Sequence, residues 1–170
     1  MSSRPHQDLR PEDIVVLVDS RERTPPAIDL HLPTSRATLQ TGDYSVLGLE
    51  HLVRVERKSL QDLVMCVGRE RERFDRCIER LRHFPLAVLV IEARESSVEL
   101  KQYRGEVSPN AVLGSVHAWR AKGINIDWAG DSQTAALHIS RTLFAFAREK
   151  YRELGAFYKS LKLAPREEAG

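Results

Sequence analysis

The spacing of apolar positions along the chain changes several times, and each change marks an element. Residues 14–18 form an unbroken, largely β-branched apolar run, the pattern of a central strand. Residues 36–40 read as a strand leading into Thr41-Gly42-Asp43. Two apolar segments, 44–47 and 52–55, flank a turn at Gly48 and predict a hairpin. From Ser59 the period lengthens: Leu60, Leu63, Val64 and Val67 recur at helical spacing, with Ser59 placed to cap them. Gly68 separates this helix from a second, whose inner stripe is Phe74, Cys77, Ile78 and Leu81 and whose outer face alternates arginine with acid, as for solvated ion pairs.

Residues 85–91 return to a core strand. A short helix is predicted over 97–103 and a loop over 105–110. Pro109 then opens a helix with Val112, Val116 and Trp119 inward and His117 structural or facing solvent. Residues 124–128 alternate like an outer strand. Asp131 turns the chain into a long helix over 132–151, and Phe157, Tyr158, Leu161 and Leu163 suggest a further short one that packs back or meets a second subunit. Residues 27–32 read as a short helix or an irregular piece. This order predicts an α/β fold of three layers, a mixed central β-sheet flanked by helices.

Bulk properties add bounds. At 170 residues and 42% hydrophobic content, one domain with a real core is expected. Residues 1–12, polar and carrying Pro5 and Pro11, read as a flexible lead-in, 13–163 as the folded domain, and 164–170 as a loose tail. A net charge of +2 gives no global pull on a polyanion, but the basic residues are mostly arginine, which suits bidentate phosphate contacts. Cys66 and Cys77 fall on apolar helix faces and form no C-x-x-C pair, so a thiolate zinc site is excluded and a reducing, intracellular setting is expected. No leader-like apolar core and no membrane-spanning run occurs in the sequence.

The candidate chemistry lies between Gly42 and Asp62. Alternation along a strand points Glu56 and Lys58 to one face and Arg57 to the other. If the hairpin pairs, Asp43 comes near Glu56. Two carboxylates and a lysine at a strand end suit a divalent cation and an activated water. The first strand runs into Asp19-Ser20-Arg21-Glu22, adding further acids. Acids so gathered repel one another unless a cation or basic partners join them. Glu92, at the end of a later strand, reads as a surface turn or as part of an acidic rim. Tyr44 reads as a packing residue or part of the site wall.

The segments Asp19-Ser20-Arg21-Glu22, Gly42-Asp43-Tyr44 and Glu56-Arg57-Lys58-Ser59-Leu60-Gln61-Asp62 together resemble the XPF-family nuclease domain, whose signature is D-x-R-E, then G-D, a gap, and E-R-K-x-x-x-D. The resemblance runs over residues 13–150 and implies a restriction-endonuclease-like fold. It implies a Mg2+- or Mn2+-dependent endonuclease that cuts branched DNA, such as flaps and forks, in repair or recombination. Carried over residue by residue, it implies a catalytic set of Asp19, Glu22, Asp43, Glu56, Arg57 and Lys58, with Asp19, Asp43 and Glu56 on the metal. Lys58 then orients or deprotonates the attacking water, or stabilises the transition state. Arg57 contacts phosphate, bridges to Asp62 or closes the rim. Arg21, Asp62 and Arg69 contact DNA or hold the acids and bases in place. After Gly68-Arg69 the chain departs from the family pattern, with Glu70 and an Arg71-Glu72-Arg73-Phe74 run. Many relatives carry a helix-hairpin-helix domain after the nuclease domain; none is expected here, so a homodimer or a separate DNA-binding partner is expected to supply junction recognition. The implied location is the cytoplasm or nucleoid, or a nucleus. Two alternatives differ in outcome: a non-catalytic, DNA-binding scaffold would bind without cutting, and a restriction-type enzyme would cut unbranched duplex.

Overall fold

The computed structural model describes residues 8–22 and 30–161. The lead-in up to residue 7, the first half (27–29) of the stretch expected over 27–32, and the expected tail lie outside these residues. Six strands form one mixed sheet: β1 (Val16–Asp19), β2 (Thr34–Ala37), β3 (Tyr44–Val46), β4 (Val53–Lys58), β5 (Leu86–Ile91) and β6 (Asn125–Trp128), in the order β2-β1-β3-β4-β5-β6. β3 runs antiparallel to both β1 and β4, while β1 pairs with β2, β4 with β5, and β5 with β6 in parallel.

Helices cover both faces, so the expected three layers are present. β5 shows the logic best. Its Ala87, Leu89 and Ile91 join a core with α1 (Leu60–Val67), α2 (Arg71–Leu81) and α4 (Pro109–Ala121), while Val88 and Val90 join a core with α5 (Ser132–Ser160) on the other face. A strand buried on both faces has no polar position to spare, hence the unbroken apolar run. In the first core Phe74 meets Trp119 edge-on, with ring centroids 5.0 Å apart. α2 is anchored there by Phe74, Ile78 and Leu81, each worth about 1.5–3 kcal/mol on burial. The helix starts follow from capping: Ser59, Ser108 and Asp131 side chains accept N–H bonds from Asp62, Ala111 and Thr134.

Several boundaries differ from those expected of the sequence. β2 begins at Thr34 rather than at 36, and ends at Ala37, because its partner is the short parallel strand β1. The short helix α3 spans Glu95–Glu99, not 97–103. α5 is continuous to Ser160, with no break near 151; its apolar face loses contact with the core after Ala147, which imitates a helix end in the sequence. Leu154, Phe157 and Tyr158 stay exposed and do not pack back. His117 is exposed and Trp119 is buried.

Candidate active site

The sheet register assembles the acids. Val18 pairs with Tyr44, and Tyr44 pairs with Val55, across three adjacent strands. One residue further along, the same register aligns Asp19, Asp43 and Glu56 in a row. Backbone bonds extend the pairing there: the Asp19 N–H donates to the Asp43 carbonyl and the Asp43 N–H to the Val55 carbonyl, both at 2.8 Å. Neighbouring strands lie about 4.8 Å apart, so the three carboxylates lie side by side across the middle strands of the sheet. Gly42 makes this turn feasible. Its φ of +76° is in the left-handed region, and a Cβ there would lie 3.1 Å from Arg54 Cδ and 3.2 Å from the Val55 carbonyl oxygen.

The row opens into a cleft of about 270 Å³ whose far wall is α2. Glu56 is 7% exposed and Asp43 is half-buried. Alternation holds as expected. Lys58 donates to Glu56 on the cleft face and to the Arg57 carbonyl at 3.2 Å, and its ammonium lies 5.6 Å from the Phe74 ring centroid. Arg57 takes the opposite face, where its guanidinium pairs with Glu92 and, at 3.1 Å, with Glu22. All three side chains of that bridge are largely buried.

The titration of these groups follows from the crowding. Burial, and then the repulsion of Glu56, push the Asp43 carboxyl up to about 7, although Lys58 and an N–H bond from Arg57 work against the rise. That Arg57 N–H reaches Asp43 Oδ2 at 2.7 Å. Burial favours the neutral form of Lys58, but Glu56 and Asp43 outweigh it and hold the ammonium above its ordinary value. Asp19 differs. Burial alone would raise its carboxyl, yet bonds from the Arg21 guanidinium and from the Leu39 and Arg21 N–H groups leave it below the usual value. Arg21 Nε lies 2.8 Å from Asp19 Oδ1, and the Leu39 N–H 2.7 Å from Oδ2.

The other residues singled out from the sequence divide. Asp62 is engaged with Ser59, whose hydroxyl donates to it at 2.7 Å, and bonds neither Arg57 nor Lys58 among the described residues. Arg69 is exposed, with Nη2 2.9 Å from Met65 Sδ, and lines a different hollow. Arg73, Cys77 and Arg80 line the cleft instead. From sequence alone Arg73 and Arg80 read as solvated arginines and Cys77 as core; their spacing of four and three residues, which puts all three on one helix face, is the signal that places them. Glu92, read as a surface turn or rim acid, is the buried partner of Arg57.

As a chemical device the row offers hard oxygen donors and an ammonium in one half-buried cleft. Asp43 and Glu56 form the pair whose mutual repulsion a cation would relieve. Asp19 has its oxygens committed to Arg21, whose side chain is 67% exposed and free to swing out. Among the described residues no three His, Cys, Asp or Glu side chains are gathered closely enough to hold an ion between them.

Comparison with solved structures gives the fold directly. XPF from Aeropyrum pernix matches with a TM-score of 0.65 at 22% identity, covering 89% of this chain and 76% of that one. A second structure, XPF from Aeropyrum pernix in complex with DNA, matches with a TM-score of 0.62 at 23% identity, covering 81% of this chain and 66% of that one. The fold is therefore restriction-endonuclease-like. Comparison with curated protein sequences found no match. Residues 18–142 match the model of the ERCC4 domain, a stretch that contains the whole row of acids, Lys58 and the cleft wall. The chain belongs to the ERCC4 domain family.

Proposed function

We propose that the chain is a Mg2+- or Mn2+-dependent endonuclease that hydrolyses DNA phosphodiesters at flaps, forks or similar junctions. The observation that carries this reading is the Asp43–Glu56 pair, driven together by the register, where burial and then the repulsion of Glu56 push the Asp43 carboxyl up to about 7. Asp43 and Glu56 would hold the cation, and Asp19 would join them once Arg21 turns to a phosphate. The cation, when bound, supplies Lewis acidity at a phosphate oxygen and acidifies a water.

The chain's own residues do the rest. Lys58 stays an ammonium in this setting, which favours orienting the water and stabilising transition-state charge over accepting a proton. Arg57 ties the ends of three strands together through Glu22 and Glu92 and so fixes the backbone that carries Glu56 and Lys58. Arg73 and Arg80 face the cleft and suit backbone phosphates, contacts that position DNA without reading sequence. One of the two similar XPF structures is a complex with DNA, which supports DNA as the ligand here. No described helix is long and apolar enough to cross a membrane.

The domain is proposed to run over 13–163. The exposed stripe of Leu154, Phe157, Tyr158 and Leu161 is the proposed contact for a second copy or a DNA-binding partner. The deciding experiment incubates the chain with labelled flap, fork, single-stranded and duplex DNA, with Mg2+, Mn2+ or chelator. Metal-dependent cuts near the branch, lost in Glu56→Ala and Lys58→Ala, support the reading; metal-indifferent binding without cutting replaces it with a scaffold.

A further inference from the structure

Behind the cleft, on the same face of the sheet, lies a larger hollow of about 700 Å³. The two adjoin, with Gln40, Thr41 and Arg80 lining both. The floor of the hollow is Leu17 and Leu39, both buried. Arg54 stands in its wall. It is 7% exposed, and its Nε is buried with no hydrogen-bond partner among the described residues. Its one hydrogen bond there is a long 3.5 Å contact from Nη1 to the Val53 carbonyl. The guanidinium is seated over the Phe84 ring, 5.0 Å from the centroid.

A buried cation without a matched acceptor is costly unless something else binds it. Burial works against the Arg54 charge, while Glu50 and Asp19 favour it. The fold even makes room for this side chain, since the missing Cβ of Gly42 is the space that Arg54 occupies. Arg80 and the exposed His83 add donors at the rim. Arg54, Glu56 and Lys58 alternate onto one face of β4, so Arg54 follows the acid row by about 7 Å along the strand.

We infer that this hollow receives one unpaired nucleotide of the DNA strand that passes through the cleft, its phosphate on the Arg54 guanidinium and its base against Leu17 and Leu39. A hollow of this size falls in the range of about 300–1,000 Å³ that holds a small molecule, which admits a single nucleotide. The apolar floor favours a base over bare phosphate, and the aligned positive charge favours a nucleotide over an uncharged ligand. The inference deepens the nuclease reading by assigning its preference for unpaired DNA to a place.

The test uses the full chain in chelator, so that binding is read without cleavage. Fluorescence anisotropy follows a single-stranded oligonucleotide, a fork and a duplex at several salt concentrations, for the wild type and Arg54→Met. Arg54→Met is chosen because it fills the same volume without charge; circular dichroism and a melt confirm its fold. The expected result is about a tenfold loss for the single strand and the fork with duplex binding unchanged, and a salt slope lower by about one. Ala37→Leu, which fills the hollow from β2 and leaves Arg54 in place, should reproduce the loss. Equal binding by both variants and wild type, or a wild type that does not bind single strands, overturns the inference. So does a thermal shift of the wild type by inorganic phosphate as large as that by a mononucleotide, which would make the hollow a plain anion site. Metal-dependent cleavage with no effect of Arg54→Met sinks this inference and leaves the nuclease reading standing. A wild type that never cuts, yet loses fork binding in Arg54→Met, does the reverse.

Discussion

Replacing Asp43 with asparagine should stabilise the metal-free protein while removing its activity. The Asp43 carboxyl is moved from 3.8 to about 7, first by burial and then by Glu56. A raised folded value means that the folded state holds the proton more tightly than the unfolded one. Asp43 therefore adds stability below its unfolded pKa, and that advantage is lost as pH rises through 7. Relative to a neutral side chain, ionised Asp43 is a burden at pH 8. About three pH units at 1.36 kcal/mol each set an upper bound of about 4 kcal/mol. Partial exposure and screening by solvent bring this to about 2 kcal/mol. Asparagine keeps an oxygen for the Arg57 N–H, now 2.7 Å away, so little else is lost. In chelator at pH 8, Asp43→Asn should melt about 4–8 °C above the wild type, taking 2–4 °C per kcal/mol for a domain of this size. At pH 4 the two should melt together. Adding Mg2+ at pH 8 should raise the wild type and leave the variant unmoved. A variant that melts no higher at pH 8, or that keeps the same advantage at pH 4, refutes the electrostatic account of the row.

Three further outcomes follow from the same geometry. Arg57→Gln leaves Glu92 largely buried without its cation and should cost about 3–5 kcal/mol in denaturant titration; a loss under 1 kcal/mol would show that the bridge is not structural. Gly42→Ala must adopt a left-handed backbone against Arg54 and the Val55 carbonyl, so a loss of at least about 1–2 kcal/mol is expected by the same titration. Lys58→Ala should lower the cleavage rate by about 10²–10³. Because the acids hold the Lys58 proton above its ordinary pKa, the wild-type pH–rate profile should show no alkaline fall between pH 8 and 9.5.

Much of this was legible in the sequence because the informative distances are short. Asp43 and Glu56 belong to one hairpin, and alternation alone put Glu56 and Lys58 on one face and Arg57 on the other. The Arg57 bridge was not legible. Its partner Glu92 sits at the end of β5, and only the parallel register of β4 with β5 brings them together. Arg73 and Arg80 look like any arginine on a wet helix; what distinguishes them is the rotation of α2 about its axis, which Phe74, Ile78 and Leu81 set by packing. Asp62 shows the reverse error. Its place in a motif suggested a link to Arg57 or Lys58, but a first-turn acid beside Ser59 has a nearer partner. The last turns of α5 were misplaced because residues beyond Ala147 have no core to face, so periodicity had nothing to report.

That projecting end of α5 has a mechanical consequence. The helix packs on the sheet face away from the cleft, and from Arg148 to Ser160 it continues for about 20 Å past its last anchoring residue. A body gripping this rod is held off the cleft by the thickness of the sheet and its covering helices. It acts on the reaction as a lever does, through the angle at which it presents the protein to its substrate.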